Sequence, residues 1–280
     1  MSKVFNEPWL MKFADFQVLQ QTLLEHIQSK QASMPVPKMD ERMPSVYLNP
    51  WEDRFKAEPF KTVRGDIAVI PIYGIIGKHL SGLEIECGGC SLDWVMNGLQ
   101  KAAEDDSIKV VVPDFSTPGG TVTGVPEVGE MIRKISEIKP VIAYTENMMC
   151  SAGYWMGSQC DKIIATPSAS IGSIGVYQAW YDSTEAYESA GHKLMLFEAG
   201  KHKAIGLRPP TDEEMEMLQK EVESLHEDFK ETILSVRPDV PKDAMEGLCY
   251  FGHEAKRLNL VDGLVNCFDD LLDELTAELN

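Results

Sequence analysis

The segment Lys109-Val-Val-Val-Pro-Asp-Phe-Ser-Thr-Pro-Gly-Gly-Thr-Val-Thr-Gly124 holds the reading that decides the fold. Its apolar half, Lys109–Phe115, predicts a strand. Thr117-Pro-Gly-Gly120 then predicts a sharp turn, because paired glycines relieve the backbone of Cβ clashes and leave N–H groups unobstructed. A helical pattern resumes at Gly124–Ile138. Such a turn can bind a developing oxyanion or a phosphate; it also serves as a plain tight turn. Pro113 stands inside the strand without a ladder N–H, which a central strand normally donates.

Working outward, the same alternation recurs. Strands are predicted at Ile67–Ile75, Val141–Thr145, Lys162–Thr166, Ile174–Ala179 and Lys193–Phe197. Helices are predicted at Leu92–Ala103, Ala152–Ser158 and Ser183–Ala190, then Thr211–Val236, a short one near His253–Leu258, and a strand and helix within Leu260–Leu279. Strands alternating with helices imply an α/β fold with a largely parallel sheet. Thr211-Asp-Glu-Glu214 opens its helix with an N-cap followed by acids in the first turn. Residues 1–60 read differently: a helix at Ala14–Ser29, then a Pro- and Met-rich stretch from Pro35 to Pro59, together an arm or linker ahead of a domain over residues 61–280.

Composition narrows the function. The 280 residues carry 26 Lys plus Arg against 44 Asp plus Glu, a formal charge of −18. That surface suits neither nucleic acid nor anionic lipid. No apolar run approaches the roughly 18 residues of a membrane span, and no secretory signal is evident at the N-terminus. The expectation is a cytoplasmic protein without a membrane anchor. Six cysteines in a chain this long predict reduced thiols rather than a disulfide scaffold. Cys87-Gly-Gly-Cys90 lacks the second ligand pair of a zinc site, so neither metal nor cofactor is expected.

Two further segments could carry chemistry. Cys150-Ser-Ala-Gly-Tyr-Trp155 follows the strand Val141–Thr145, and Ser151 falls where a helix begins. A capping serine belongs there, and so does a nucleophile whose neighbouring N–H groups face a carbonyl. Ser168-Ala-Ser-Ile-Gly-Ser-Ile-Gly175 is a small-residue stretch with three hydroxyls. The six histidines give only a weak signal for a Ser–His–Asp triad, His202 beside Lys203 being the best placed. A lysine can serve as a base when burial lowers its pKa.

Taken in order, these segments resemble the signal peptide peptidase A family, peptidase family S49, and in particular its phage capsid-assembly branch. Thr117-Pro-Gly-Gly120 matches the family's S-P-G-G with threonine for serine. Ser151-Ala-Gly-Tyr154 matches its helix-opening serine motif, and Gly172-Ser-Ile-Gly-Val176 stands unaltered. Gly200-Lys-His-Lys203 matches the lysine context. Ala255-Lys-Arg-Leu-Asn-Leu-Val-Asp262 follows the C-terminal motif with Asn259 for glycine. The likeness runs from about Asp66 to Leu275.

The resemblance implies a ClpP/crotonase-like fold with a parallel sheet and flanking helices. It further implies a serine endopeptidase with Ser151 as nucleophile, Lys203 as general base and Ser173 orienting the lysine. The N–H groups of Gly120 and Ala152 would form the oxyanion hole. Expected partners are a peptide or protein substrate and further copies of the chain in a homo-oligomer. In the phage branch they include capsid or scaffold proteins processed within a procapsid. The rival readings are a bacterial cytosolic peptidase of the same family, a crotonase-like CoA enzyme, and an inactive assembly protein.

Overall fold

In the computed structural model, which describes residues 9–11, 59–182 and 184–279, the first strand is β1 (Trp9–Met11). It is followed by β2 (Lys61–Val63), β3 (Ile67–Tyr73), β4 (Ile75–Gly77), α1 (Gly82–Glu86), β5 (Gly89–Ser91) and α2 (Leu92–Glu104). Next come β6 (Val110–Ser116), β7 (Gly119–Thr121), α3 (Val125–Ser136), β8 (Ile142–Thr145), β9 (Met148–Cys150), α4 (Ala152–Gly157), β10 (Lys162–Ala165) and β11 (Ser170–Gly172). The chain ends with α5 (Thr184–Ser189), α6 (Asp212–Val236), β12 (Cys249–Phe251), α7 (Gly252–Arg257), β13 (Gly263–Leu264) and α8 (Phe268–Leu279).

Among these residues the main sheet has six strands in the order β13-β10-β8-β6-β3-β2. All its pairs are parallel except β2 with β3. Each strand alternates its side chains between two covered faces. Ala68, Ile70, Val111, Phe115, Ala143 and Ile163 lie in the larger core with residues of α2, α3 and α4. Ile67, Val69, Val110, Val112, Ile142 and Ile164 lie in a second core with Leu271, Leu272 and Leu275 of α8. The apolar runs lack period-two polarity because both faces are buried.

Pro113 takes its place in β6 opposite Ile70 of β3. On the β8 side, pairing is confined to Val111 with Val141 and Asp114 with Tyr144. The gap between them contains the proline, which has no N–H to give.

Two small sheets extend the main one at the carboxyl ends of its strands. One has the order β1-β7-β4-β5, the other β12-β11-β9. This end of a parallel sheet is where α/β proteins build their sites.

Two expected strands are corrected. The strand placed at Ile174–Ala179 lies earlier, at Ser170–Gly172, and residues 193–197 form no strand. Leu194, Met195 and Phe197 are apolar yet exposed, Phe197 to 89%. An apolar run gives a strand only when a sheet edge is there to pair with it. The helix expected at Ala14–Ser29 lies outside the described residues.

α6 is long but touches the body sparingly: its buried residues are Glu214, Phe229 and Ile233. Phe229 stacks on Trp155 of α4 with ring centroids 4.6 Å apart. The Thr211 cap closes reciprocally, its side chain accepting from the Glu214 N–H while the Glu214 carboxylate accepts from the Thr211 N–H.

Candidate active site

Ser151 joins β9 to α4 with φ 54° and ψ −116°, a conformation L-residues rarely adopt. Its N–H donates to the Gly172 carbonyl at 2.8 Å, and its own carbonyl accepts from Trp155 N–H at 2.9 Å, starting the helix. The side chain makes no capping bond. The residue is 1% exposed and its Oγ has no hydrogen-bond partner among the described residues. The capping explanation therefore fails. A buried, unsatisfied hydroxyl on a strained turn is costly, and such positions cluster at functional sites.

Strand register brings the other segments to it. Cys150 is level with Gly172 in the parallel pair β9–β11, and Ser151 and Ser173 are the residues that directly follow this last pair. Ser173 also has positive φ, 53°, and its N–H is held by the Leu248 carbonyl at 2.6 Å. On the other side, Thr117 bridges to Met149 in parallel. Cys150, the residue before Ser151, donates its N–H to the Thr117 carbonyl at 3.1 Å.

The glycine turn is braced by Thr117. Its hydroxyl donates to the Gly74 carbonyl at 2.6 Å and accepts from Gly119 N–H at 3.1 Å. Threonine thus keeps the hydroxyl of the serine that the family pattern has there. Its methyl meets α4 at Gly153, where an added Cβ would lie 2.4 Å from Thr117 Cγ2. Gly120 admits no side chain, since a Cβ there would fall 1.9 Å from the Ile76 carbonyl oxygen. Ala152, the first residue of α4, has an N–H with no intrahelical acceptor. Ser151, Ser173, Ala152 and the Gly119–Gly120 turn are accordingly neighbours.

Lys203 makes no hydrogen bond to Ser151 Oγ. It is exposed, in a turn closed by its N–H to the Gly200 carbonyl at 3.0 Å. The residues around it are tied to α6 instead. Arg208 grips Glu214 with two bonds of 2.8 and 3.0 Å, and His202 Nδ1 lies 3.6 Å from the same carboxylate. Arg208 and the Thr211 N–H hold the Glu214 carboxyl down to about 2. Because the folded value is depressed, this contribution to stability is complete above the unfolded value of about 4.3. It is lost as pH falls toward 2. The melting temperature of Glu214→Gln should lie below wild type at pH 7, and the gap should close between pH 4.5 and 2.

Other motif residues prove structural. Tyr154 OH donates to the Leu260 carbonyl at 2.9 Å, and burial raises its pKa. Asp262 accepts from Ile163 N–H at 2.7 Å and from Arg237 at 2.8 Å. Asn259 has φ 58°, a conformation that glycine and asparagine tolerate, which accounts for asparagine in the glycine's place. Sequence reading missed one feature: Cys150 and Cys249, on the strands flanking Gly172, have their sulfurs 3.8 Å apart.

The fold and site define an α/β protein with a serine on a strained strand-to-helix elbow, beside a braced glycine turn at the carboxyl end of a parallel sheet. The chain belongs to peptidase family S49, whose model matches residues 133–280. It is 30% identical over 239 residues to capsid assembly protease C of Escherichia phage lambda, covering 80% of this chain and 53% of the relative. It is 26% identical over 287 residues to head-tail preconnector protein GP5 of Enterobacteria phage P21, covering 99% and 57%. The chain thus spans a little over half the length of these relatives. Among solved structures, a mutant of a membrane-bound stomatin-specific protease aligns with TM-score 0.48 and 13% identity, over 76% of this chain and 85% of that one. The α/β architecture with a mainly parallel sheet agrees with the ClpP/crotonase-like expectation. Among the described residues, no helix is long and apolar enough to cross a membrane.

Proposed function

We propose that the chain is a serine endopeptidase in which Ser151 Oγ attacks the scissile carbonyl and forms an acyl-enzyme. The observation that carries this is the buried, unpartnered Ser151 hydroxyl at φ 54°. The Gly120 and Ala152 N–H groups receive the oxyanion, and Lys203 takes the serine proton and passes it to the leaving amine. Ser173 orients the lysine.

For Lys203 to act, the segment 200–208 must present it to Ser151, from the same chain or from a second copy. Exposed Leu194, Met195, Phe197 and Leu207 nearby favour a covering partner, since contiguous apolar exposure is unfavourable on a free surface. In this proposal the chain acts as a homo-oligomer. The two phage relatives favour capsid or scaffold proteins as substrates, hence a site of action in the procapsid or the host cytoplasm.

The test is a fluorophosphonate probe followed by peptide mapping, with cleavage of a candidate scaffold protein run alongside. Labelling should map to Ser151, vanish in Ser151→Ala, and fall at least about 100-fold in Lys203→Ala, the range of a lost general base. Unchanged labelling and cleavage in Lys203→Ala would remove the lysine from the mechanism. CoA-ester turnover by Ser151→Ala would favour a crotonase-like enzyme instead.

A further inference from the structure

The strand β1 is out of place for an N-terminal arm. It runs antiparallel along β7, with Trp9 opposite Thr121, Leu10 opposite Gly120 and Met11 opposite Gly119. The other edge of β7 is taken by β4, through Ile76 opposite Gly120. Without β1, therefore, β7 would present an open edge of N–H and C=O groups, the usual template for adding an extended peptide. That edge is close to the reactive serine: β7 leads directly from the braced glycine turn, whose Thr117 accepts from the Cys150 N–H and meets Gly153 of the helix that Ser151 opens. Leu10 and Met11 are thus paired with the two glycines of that turn.

We infer that Trp9–Met11 is a resident peptide of this site, held by backbone pairing on β7, and that it competes in cis with incoming peptide strands. The inference rests on the peptidase reading of Ser151 for its consequence, though not for the binding itself. The ligand class is an extended segment read mainly through its main chain. Gly119 and Gly120 bring no side chains to the contact, so the strand can lie close to the backbone of the turn. Being part of the same chain, the segment acts at a high effective concentration without needing tight intrinsic affinity. A protein substrate would have to displace it or be delivered where it has already been withdrawn.

Two full-length variants test this. Leu10→Pro with Met11→Pro removes consecutive N–H groups, so whichever parity of the antiparallel ladder is bonded, β1 is broken. Trp9→Cys with Thr121→Cys places two thiols on directly opposed residues, where an antiparallel pair suits a disulfide that locks β1 down. Fluorophosphonate labelling should be at least about 10-fold faster in the proline variant than in wild type. In the cysteine variant it should fall on oxidation and return with dithiothreitol, while Thr121→Cys alone stays constant. Equal labelling rates in wild type, proline variant and both redox states of the cysteine pair would overturn the inference.

A binding measurement separates this from the function itself. A fluorescent synthetic peptide of residues 7–13 is titrated into Ser151→Ala protein with β1 intact or carrying the two prolines. Binding at least about 10-fold tighter to the proline form supports the inference even if Ser151 proves not to be the nucleophile. Equal binding by both forms overturns it. Recovery of protein cut within residues 9–11 from purified wild type would also overturn it, because the segment would then be a substrate and no lasting competitor.

Discussion

Replacing Ser151 with glycine is expected to lower the rate of peptide hydrolysis by about 10⁶, the scale on which serine peptidases lose kcat without their nucleophile, while raising the melting temperature. Both effects come from the same geometry. The wild-type residue sits at φ 54° and ψ −116° with its hydroxyl buried and unpaired. A non-glycine residue in such a region costs about 1–3 kcal/mol, and a buried polar group without a partner adds about 1–3 kcal/mol. Alanine removes the hydroxyl but keeps the Cβ; glycine removes both. Stability should therefore rise in the order Ser, Ala, Gly, with glycine about 1 kcal/mol above alanine. At this chain length that amounts to roughly 2–4 °C. Calorimetry of the three proteins with a cleavage assay checks both halves. A glycine variant no more stable than the alanine one would mean that the elbow stores no strain.

Phe229→Ala is expected to cost about 3–5 kcal/mol, the range for emptying a buried aromatic site. The melting temperature should then drop by about 10 °C, at roughly 2–4 °C per kcal/mol. α6 has 25 residues, yet Phe229, Ile233 and Glu214 are its buried ones. Phe229 is fully buried against Trp155, whose ring stacks on it, and Trp155 belongs to the helix that Ser151 begins. Met217 on the same helix is 41% exposed, and Met217→Ala should stay within about 0.5 kcal/mol. If the two substitutions proved equally mild, α6 would be anchored by something other than its aromatic contact. The loss at Phe229 should also loosen the Arg208–Glu214 attachment at the other end of the helix, and with it the segment bearing Lys203.

Much of the candidate site was legible because its parts are local. Thr117-Pro-Gly-Gly120, Ser151-Ala-Gly-Tyr154 and Gly172-Ser173 each sit at a strand's carboxyl end. A turn that needs glycine, or a helix start that needs a small residue, leaves its mark within a few positions. What remained hidden has a common cause. The pairing of β1 with β7 joins residues more than a hundred positions apart through backbone groups that every residue type possesses. No pattern in Trp9-Leu10-Met11 specifies that partner. The misplaced strand at residues 193–197 is the converse case, where β-propensity was present and a neighbouring strand was not.

The sequence by itself determined the α/β alternation, through apolar runs separated by helical periods, and the residue types that form the elbow and the glycine turn. It also determined that Pro113 and Asn259 would have to be accommodated. Only the tertiary structure decided that Thr117 braces the turn, that Ser151 Oγ is buried without a partner, that Lys203 is exposed in its turn, and that residues 9–11 lie along β7. The physical reason is that periodicity and turn chemistry act over a few residues. Register, burial and hydrogen-bond satisfaction are properties of strands brought together from distant parts of the chain.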